Sequence, residues 1–89
     1  MPKNITNEIL YPCLFPIKAI GENTADFEPH VVALIRQHVP DLGDEKISRR
    51  LSADGKYLSV TATFMASSRA QLDALYSALS GDDQVMMIL

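Results

Sequence analysis

From Leu14 to Gly21 the chain alternates. Phe15, Ile17 and Ala19 fall on one face and Leu14, Lys18 and Ile20 on the other, which is the period of a β-strand. Gly21 ends that strand. Phe27, Val31, Leu34, Ile35 and His38 then recur at spacings of four, three, one and three and form one helical stripe. Pro29 fixes where this helix begins, because proline is tolerated only in the first turn, where amides lack intrahelical partners. Asp26 is the N-cap on this reading, Glu28 favours the positive helix end, and Pro40 stops the helix. Lys46 to Ser52 reads as a polar strand with Ile47 and Leu51 as its apolar positions, followed by the hairpin turn Ala53-Asp54-Gly55-Lys56. Leu58, Val60, Ala62 and Phe64 alternate with Tyr57, Ser59, Thr61 and Thr63, so the third strand has a greasy face and a hydroxyl-rich one. Ser68 and Gln71 have capping-box spacing, and Leu72, Leu75, Tyr76 and Leu79 give a second helical stripe that closes at Gly81. Gln84 to Leu89 reads as a last strand, with Val85, Met87 and Leu89 on one side and Met86 and Ile88 on the other.

The order β-α-β-β-α-β is the split β-α-β arrangement of the ferredoxin-like α+β fold. Two helices with one apolar stripe each cover one face of a four-stranded antiparallel sheet, giving a two-layer sandwich. Right-handed crossovers place strands one and three at the centre and strands four and two at the edges. Met1 to Pro12 is polar and mixed. Residues 1–12 therefore read as an arm and 13–89 as a single domain.

One sheet face is left uncovered. The periodicity assigns to it Leu14, Lys18 and Ile20 from strand one, Tyr57, Ser59, Thr61 and Thr63 from strand three, and Met86 and Ile88 from strand four. Ile20, Met86 and Ile88 are expected to lie together, and contiguous exposed apolar surface marks an interaction site. The competing explanation is the scattered apolar surface that every protein carries. Lys46, Arg49, Arg50 and Lys56 gather on or beside strand two; protection of an edge strand against aggregation explains them better than an anion site does.

Composition narrows the partners. At 89 residues and 9.8 kDa the chain holds one core, which must supply nearly all the stability. A hydrophobic fraction of 47% argues for a folded chain. The net charge of -3 removes the phosphate attraction on which nucleic-acid binders depend. An RNA-recognition reading of this topology also needs two or three exposed aromatics on strand three, where only Tyr57 is available. Apolar runs fall far short of a membrane span. The lone Cys13 forms no internal disulfide, so a soluble, cytoplasmic protein is expected.

Catalytic and metal chemistry is hard to find. His30 and His38 are eight residues apart on one helix, too far to share an ion. His38 reads as a residue that benefits from the negative helix end. Cys13 has no sequence neighbour that would lower its pKa, and packs as a small hydrophobe. Asp82-Asp83 and Asp44-Glu45 read as solvated loop carboxylates rather than acid-base machinery. No phosphate loop, nucleophile elbow or zinc spacing occurs. No catalytic residue, metal or cofactor is expected.

Tyr11-Pro12-Cys13, Phe15-Pro16-Ile17-Lys18 and Ile20-Gly21 resemble the opening signature of the YbeD-like family of small bacterial proteins of unknown function. The likeness continues through His38 and Pro40, Ser52, Gly55, Tyr57 and Ser59-Val60-Thr61, Leu75-Tyr76, and the closing Val85, Met87-Ile88-Leu89. The resemblance implies a ferredoxin-like fold similar to ACT regulatory domains. It also implies gene neighbourhoods shared with lipoate attachment and synthesis, which hint at regulation there. In ACT-like domains ligands lie after strand one, here the acidic loop Gly21, Glu22, Asn23, Thr24. Where other members often carry a basic residue in the last strand, this chain has Met86, so the open face is greasier. Two functional readings result. One is a non-enzymatic regulatory or protein-interaction module that uses Lys18, Ile20, Tyr57, Ser59, Thr61, Met86 and Ile88 to bind a protein partner or a second copy. The alternative is an ACT-like sensor of a small molecule at the loop after strand one.

Overall fold

The computed structural model describes residues 10–89; of the arm expected over residues 1–12, the part up to residue 9 lies outside the described residues. Strand β1 (Cys13–Glu22) leads to helix α1 (Phe27–His38), then to β2 (Ile47–Leu51), β3 (Tyr57–Ala66), α2 (Arg69–Ser80) and β4 (Met87–Ile88). The four strands form one sheet in the order β2-β3-β1-β4, every neighbouring pair antiparallel. The ferredoxin-like α+β architecture read from the periodicities is the one observed, with β1 and β3 central.

Alternation along the central strands builds the core. Ile17 and Ala19 of β1 and Leu58, Val60, Ala62, Phe64 and Ala66 of β3 are buried, while their odd-numbered or even-numbered neighbours are not. Phe27, Val31, Val32 and Ile35 of α1 and Leu72, Leu75 and Leu79 of α2 close over them. Each fully buried aliphatic or aromatic side chain contributes about 1.5–3 kcal/mol, and no polar side chain is buried among the described residues.

The helix ends differ in kind. Asp26 stands at the N-cap of α1, but its side chain accepts no capping hydrogen bond, because its backbone is already helical rather than extended. Ser68 caps α2 as its spacing predicts, its Oγ accepting the Gln71 amide at 3.1 Å. The Gln71 side chain turns back to the amide of Ser67, at 2.7 Å, rather than to that of Ser68. The stop at Pro40 conceals two core residues: Val39 and Leu42 are 3% and 5% exposed, so the α1-β2 connection is packed down and not a plain surface loop.

Strand boundaries moved where local residues decide them. β1 runs through Gly21 to Glu22, and β3 extends past Phe64 to Ala66. β2 is shorter than expected, since Lys46 belongs to a one-turn 3₁₀ segment, Asp44–Lys46. The β2-β3 turn holds Gly55 at φ +74°, a backbone region that favours glycine. There the Asp54 carboxylate accepts from Ser52 Oγ at 2.7 Å and from the Lys56 amide at 3.1 Å.

Strand β4 corrects the expectation most. Only Met87 and Ile88 form it, and its register sets Ile88 opposite Ala19 and Met87 opposite Ile20. Directly opposed residues share a face. Ile88 therefore points to the helices and packs against the core, while Met87 takes the open face. The mutual hydrogen bonds of Lys18 and Leu89, 3.1 and 2.8 Å, continue that register and put Leu89 on the open face as well. In a segment whose two alternating sets are both apolar, periodicity identifies the strand but not its orientation.

Candidate functional site

The register arranges the uncovered face in rows that cross the sheet. Met87, Ile20, Ser59 and Arg50 form one row, and Leu89, Lys18, Thr61 and Ser48 the next. Pro16 with Thr63 and Leu14 with Met65 extend the face toward the start of β1, and Glu22 with Tyr57 closes its other end. Lys18, Ile20, Tyr57, Ser59 and Thr61 thus share one side of the sheet. Met86 and Ile88 do not join them: Ile88 is on the helix side, and Met86 lines a concavity at the edge.

The face is apolar at its Leu14–Met65 end and along its β4 edge, and polar across β3 and β2. Leu14, Met65, Met87 and Leu89 are each more than half exposed, which is unusual for large apolar side chains grouped on one surface. The hydroxyls of Ser48, Ser59, Thr61 and Thr63 occupy β2 and β3, with the cation Lys18 at the middle of β1 and Arg50 on the edge strand β2. Met65 and Arg50 were open to detection, since the alternation of β3 and β2 simply continues through them. Met87 and Leu89 required the register.

The second candidate is the edge of the molecule where β1 leaves the sheet. A concavity of about 480 Å³ is lined there by Glu22, Thr24, Asp26, Phe27, Asp83, Gln84 and Met86. The expected loop residues part company around it. Gly21 is buried beneath Phe27: a Cβ at this position would lie inside van der Waals contact of the Phe27 ring and 2.5 Å from the Gln84 carbonyl oxygen. Asn23 turns away to the hairpin, its amide donating to Lys56 O at 2.9 Å and its Nδ2 to Gly55 O at 3.1 Å. Glu22 and Thr24 remain on the wall, and with Asp26 and Asp83 they give the rim three carboxylates.

Beside this concavity His30 Nε2 meets Asp82 Oδ2 at 2.6 Å, tying α1 to the turn before β4. Asp82 also accepts the Gln84 amide at 2.9 Å. Burial alone would raise this carboxyl, but the hydrogen bonds from His30 and from backbone amides outweigh it and hold the group below its ordinary value. Asp82 is therefore a structural tie and not the solvated loop carboxylate that its sequence setting suggests. No local signal marks the pair, because its members are separated by most of the fold.

Of Lys46, Arg49, Arg50 and Lys56, only Arg49 forms an ion pair among the described residues. Arg49 lies opposite Val60, on the helix side, and both of its guanidinium contacts go to Glu28 of α1. That hydrogen bonding is the main reason the Glu28 carboxyl is depressed. Arg36 reaches Asp44 at 2.7 Å and the Leu42 carbonyl at 3.0 Å. Cys13 is half-buried against the core, and the His38 carbonyl accepts from Gln71 Nε2 at 2.9 Å. Among the described residues there is no group of three or more His, Cys, Asp or Glu able to hold a metal, and no helix long and apolar enough to cross a membrane.

Comparison with known proteins agrees with the fold. The solution structure of protein HP0495 from H. pylori superposes with a TM-score of 0.70 at 20% identity, over 100% of this chain and 94% of that one. The ACT domain from GTP pyrophosphokinase of Chlorobium tepidum does so with a TM-score of 0.62 at 17% identity, over 85% of this chain and 94% of that domain. At such identities the likeness is one of fold. Sequence similarity reaches further in the UPF0250 protein NE1487 of Nitrosomonas europaea, which is 43% identical over 81 residues, 91% of this chain and 93% of that protein. None of these likenesses bears on lipoate metabolism. The model of a family described as a protein of unknown function, DUF493, matches residues 6–89, and with that relative it shows that the chain belongs to this uncharacterised bacterial family, the one its opening signature resembles.

Proposed function

We propose that the chain is a non-catalytic regulatory or interaction module that engages another protein through the uncovered sheet face. The observation that carries this reading is the grouping of Leu14, Met65, Met87 and Leu89, each more than half exposed, on the one side of the sheet that no helix covers. Ile20 takes the place at the centre of the apolar end that Met86 and Ile88 were expected to share with it. A photo-crosslinking amino acid placed at Thr61 or Met87 in the living cell tests it, with Ala70 and Ser77 on the outer surface of α2 as controls. A discrete adduct from the two sheet positions only is the expected result. Adducts from all four positions alike, or from none, overturn it.

A second reading has its own observation. The concavity beside Glu22 and Thr24 lies where a sensor of the ACT type would hold a metabolite. Its carboxylate rim selects for an amine or another cation by simple Coulomb attraction. Under this reading a polyamine or basic amino acid raises the unfolding midpoint, by about 2.7 kcal/mol of stability at a hundredfold excess over its Kd. An unchanged midpoint across such compounds removes it.

A further inference from the structure

The charge on the open face is opposite to that of the chain. The protein carries a net charge of -3, yet Lys18 stands at the middle of β1, Arg50 lies across β3 from it on the edge strand β2, and Glu22 stands at the end of the face. Elsewhere the arginines are matched: Arg49 with Glu28, Arg36 with Asp44, Arg69 with Asp73. Lys18 and Arg50 have no ion pair among the described residues. A twofold dimer packed face to face about the middle of the sheet would bring Lys18 toward its own copy and desolvate like charges together. Two cations with apolar flanks also make a poor track for a phosphate backbone. What fits is a carboxylate in the middle of an apolar surface.

The dimensions of the face define the shape of that partner. From Leu14 to Ile20 the strand covers roughly 20 Å at about 3.3 Å per residue. A helix of about fourteen residues has the same length, and a helix laid on a sheet face is one of the stable layer packings, the one this chain already uses on its other face. Resting on the interaction reading above, we infer that the occupant is an amphipathic helix of another protein. Its apolar face covers Leu14 and Met65 at one end and Ile20, Met87 and Leu89 at the other, and an acidic residue at its middle, on the flank toward β2, meets Lys18 with Arg50 across β3 from it. Docked in this way, it forms a third layer on the sheet.

Three stapled fourteen-residue peptides, identical except for Glu, Gln or Lys at the centre of the apolar face, provide the probe. Fluorescence anisotropy should rank them Glu, Gln, Lys, with Glu ahead of Lys by at least about tenfold. In the double variant Lys18→Glu, Arg50→Glu the order should reverse. Lys18→Met, which keeps the apolar stem, should merely level it, and supplies the answer if the double variant does not fold. Equal binding of all three peptides, with amide shifts confined to Lys18–Ile20 and Ser59–Thr61, overturns the acidic partner while leaving the face as the interaction surface. Shifts on the helices, or no binding by any peptide, overturn the helix outright, and the crosslinks from Thr61 and Met87 then decide the face separately. A concentration-dependent dimer that the double variant fails to weaken also overturns it, in favour of a second copy.

Discussion

Gly21 has room for a hydrogen and for nothing larger, with the Phe27 ring on one side and the Gln84 carbonyl on the other. This close approach lets the first buried residue of α1 seat against the strand that precedes it. Gly21→Ala should therefore destabilise the fold by roughly 1–3 kcal/mol, the usual cost of overpacking, read as a lower urea midpoint. Alanine at Gly55 meets no atom, and its effect comes only through the positive φ. From sequence Gly21 looks like a strand exit or part of a ligand loop, since a glycine kept for close packing has the same letter as one kept for a turn. The same limit applies to Asp82. Beside Asp83 it reads as solvated, and only the folded chain brings His30 within 2.6 Å of it. By contrast Lys18, Ile20, Ser59 and Thr61 were legible as one face, because alternation in two long strands needs no tertiary information.

Strand β3 and helix α2 show how far an element can be read from its own residues. Ten residues of strict alternation and a capped helical stripe leave no competing period. Strand β4 is the opposite case. Met86, Met87, Ile88 and Leu89 are all apolar, so either orientation buries a large side chain, and the register against β1 makes the choice. That choice has a measurable consequence. Ile88→Ala should cost about 1–2 kcal/mol, below the 2–5 typical of a fully buried site because Ile88 is only partly buried. Met87→Ala should stay within about 0.5 kcal/mol. A larger loss for Met87→Ala than for Ile88→Ala would mean that the strand is turned the other way. The α1-β2 connection hid Val39 and Leu42 for a related reason: two apolar residues around Pro40 carry no period at all.

Across the molecule, two carboxylates hold distant parts together, Glu28 joining α1 to β2 and Asp82 joining α1 to the turn before β4, while a third, Asp54, closes the hairpin locally. All three are depressed, Glu28 and Asp54 chiefly by side-chain hydrogen bonds and Asp82 by bonds that outweigh its burial. A depressed carboxyl contributes stability that is present above its unfolded value and lost as pH falls through its folded one. The ordinary values, 4.5 for Glu28 and 3.8 for Asp82, mark where that loss begins as pH falls, and it grows below them. Urea midpoints taken at pH 7, 4 and 3 should fall steeply over the last interval, and Asp82→Asn should flatten the fall. The β1-β3 ladder bears on time as well as stability. Its ten pairs run from Cys13 with Ala66 to Glu22 with Tyr57, and all of α1 and β2 lie between the two strands. Closing so wide a loop before any pair forms makes folding slow for a chain of this size. In stopped-flow refolding, Val60→Ala should slow folding, whereas Ser68→Ala at the cap of α2 should mainly hasten unfolding. During synthesis β1 leaves the ribosome well ahead of its principal partner, so it waits unpaired until β3 follows.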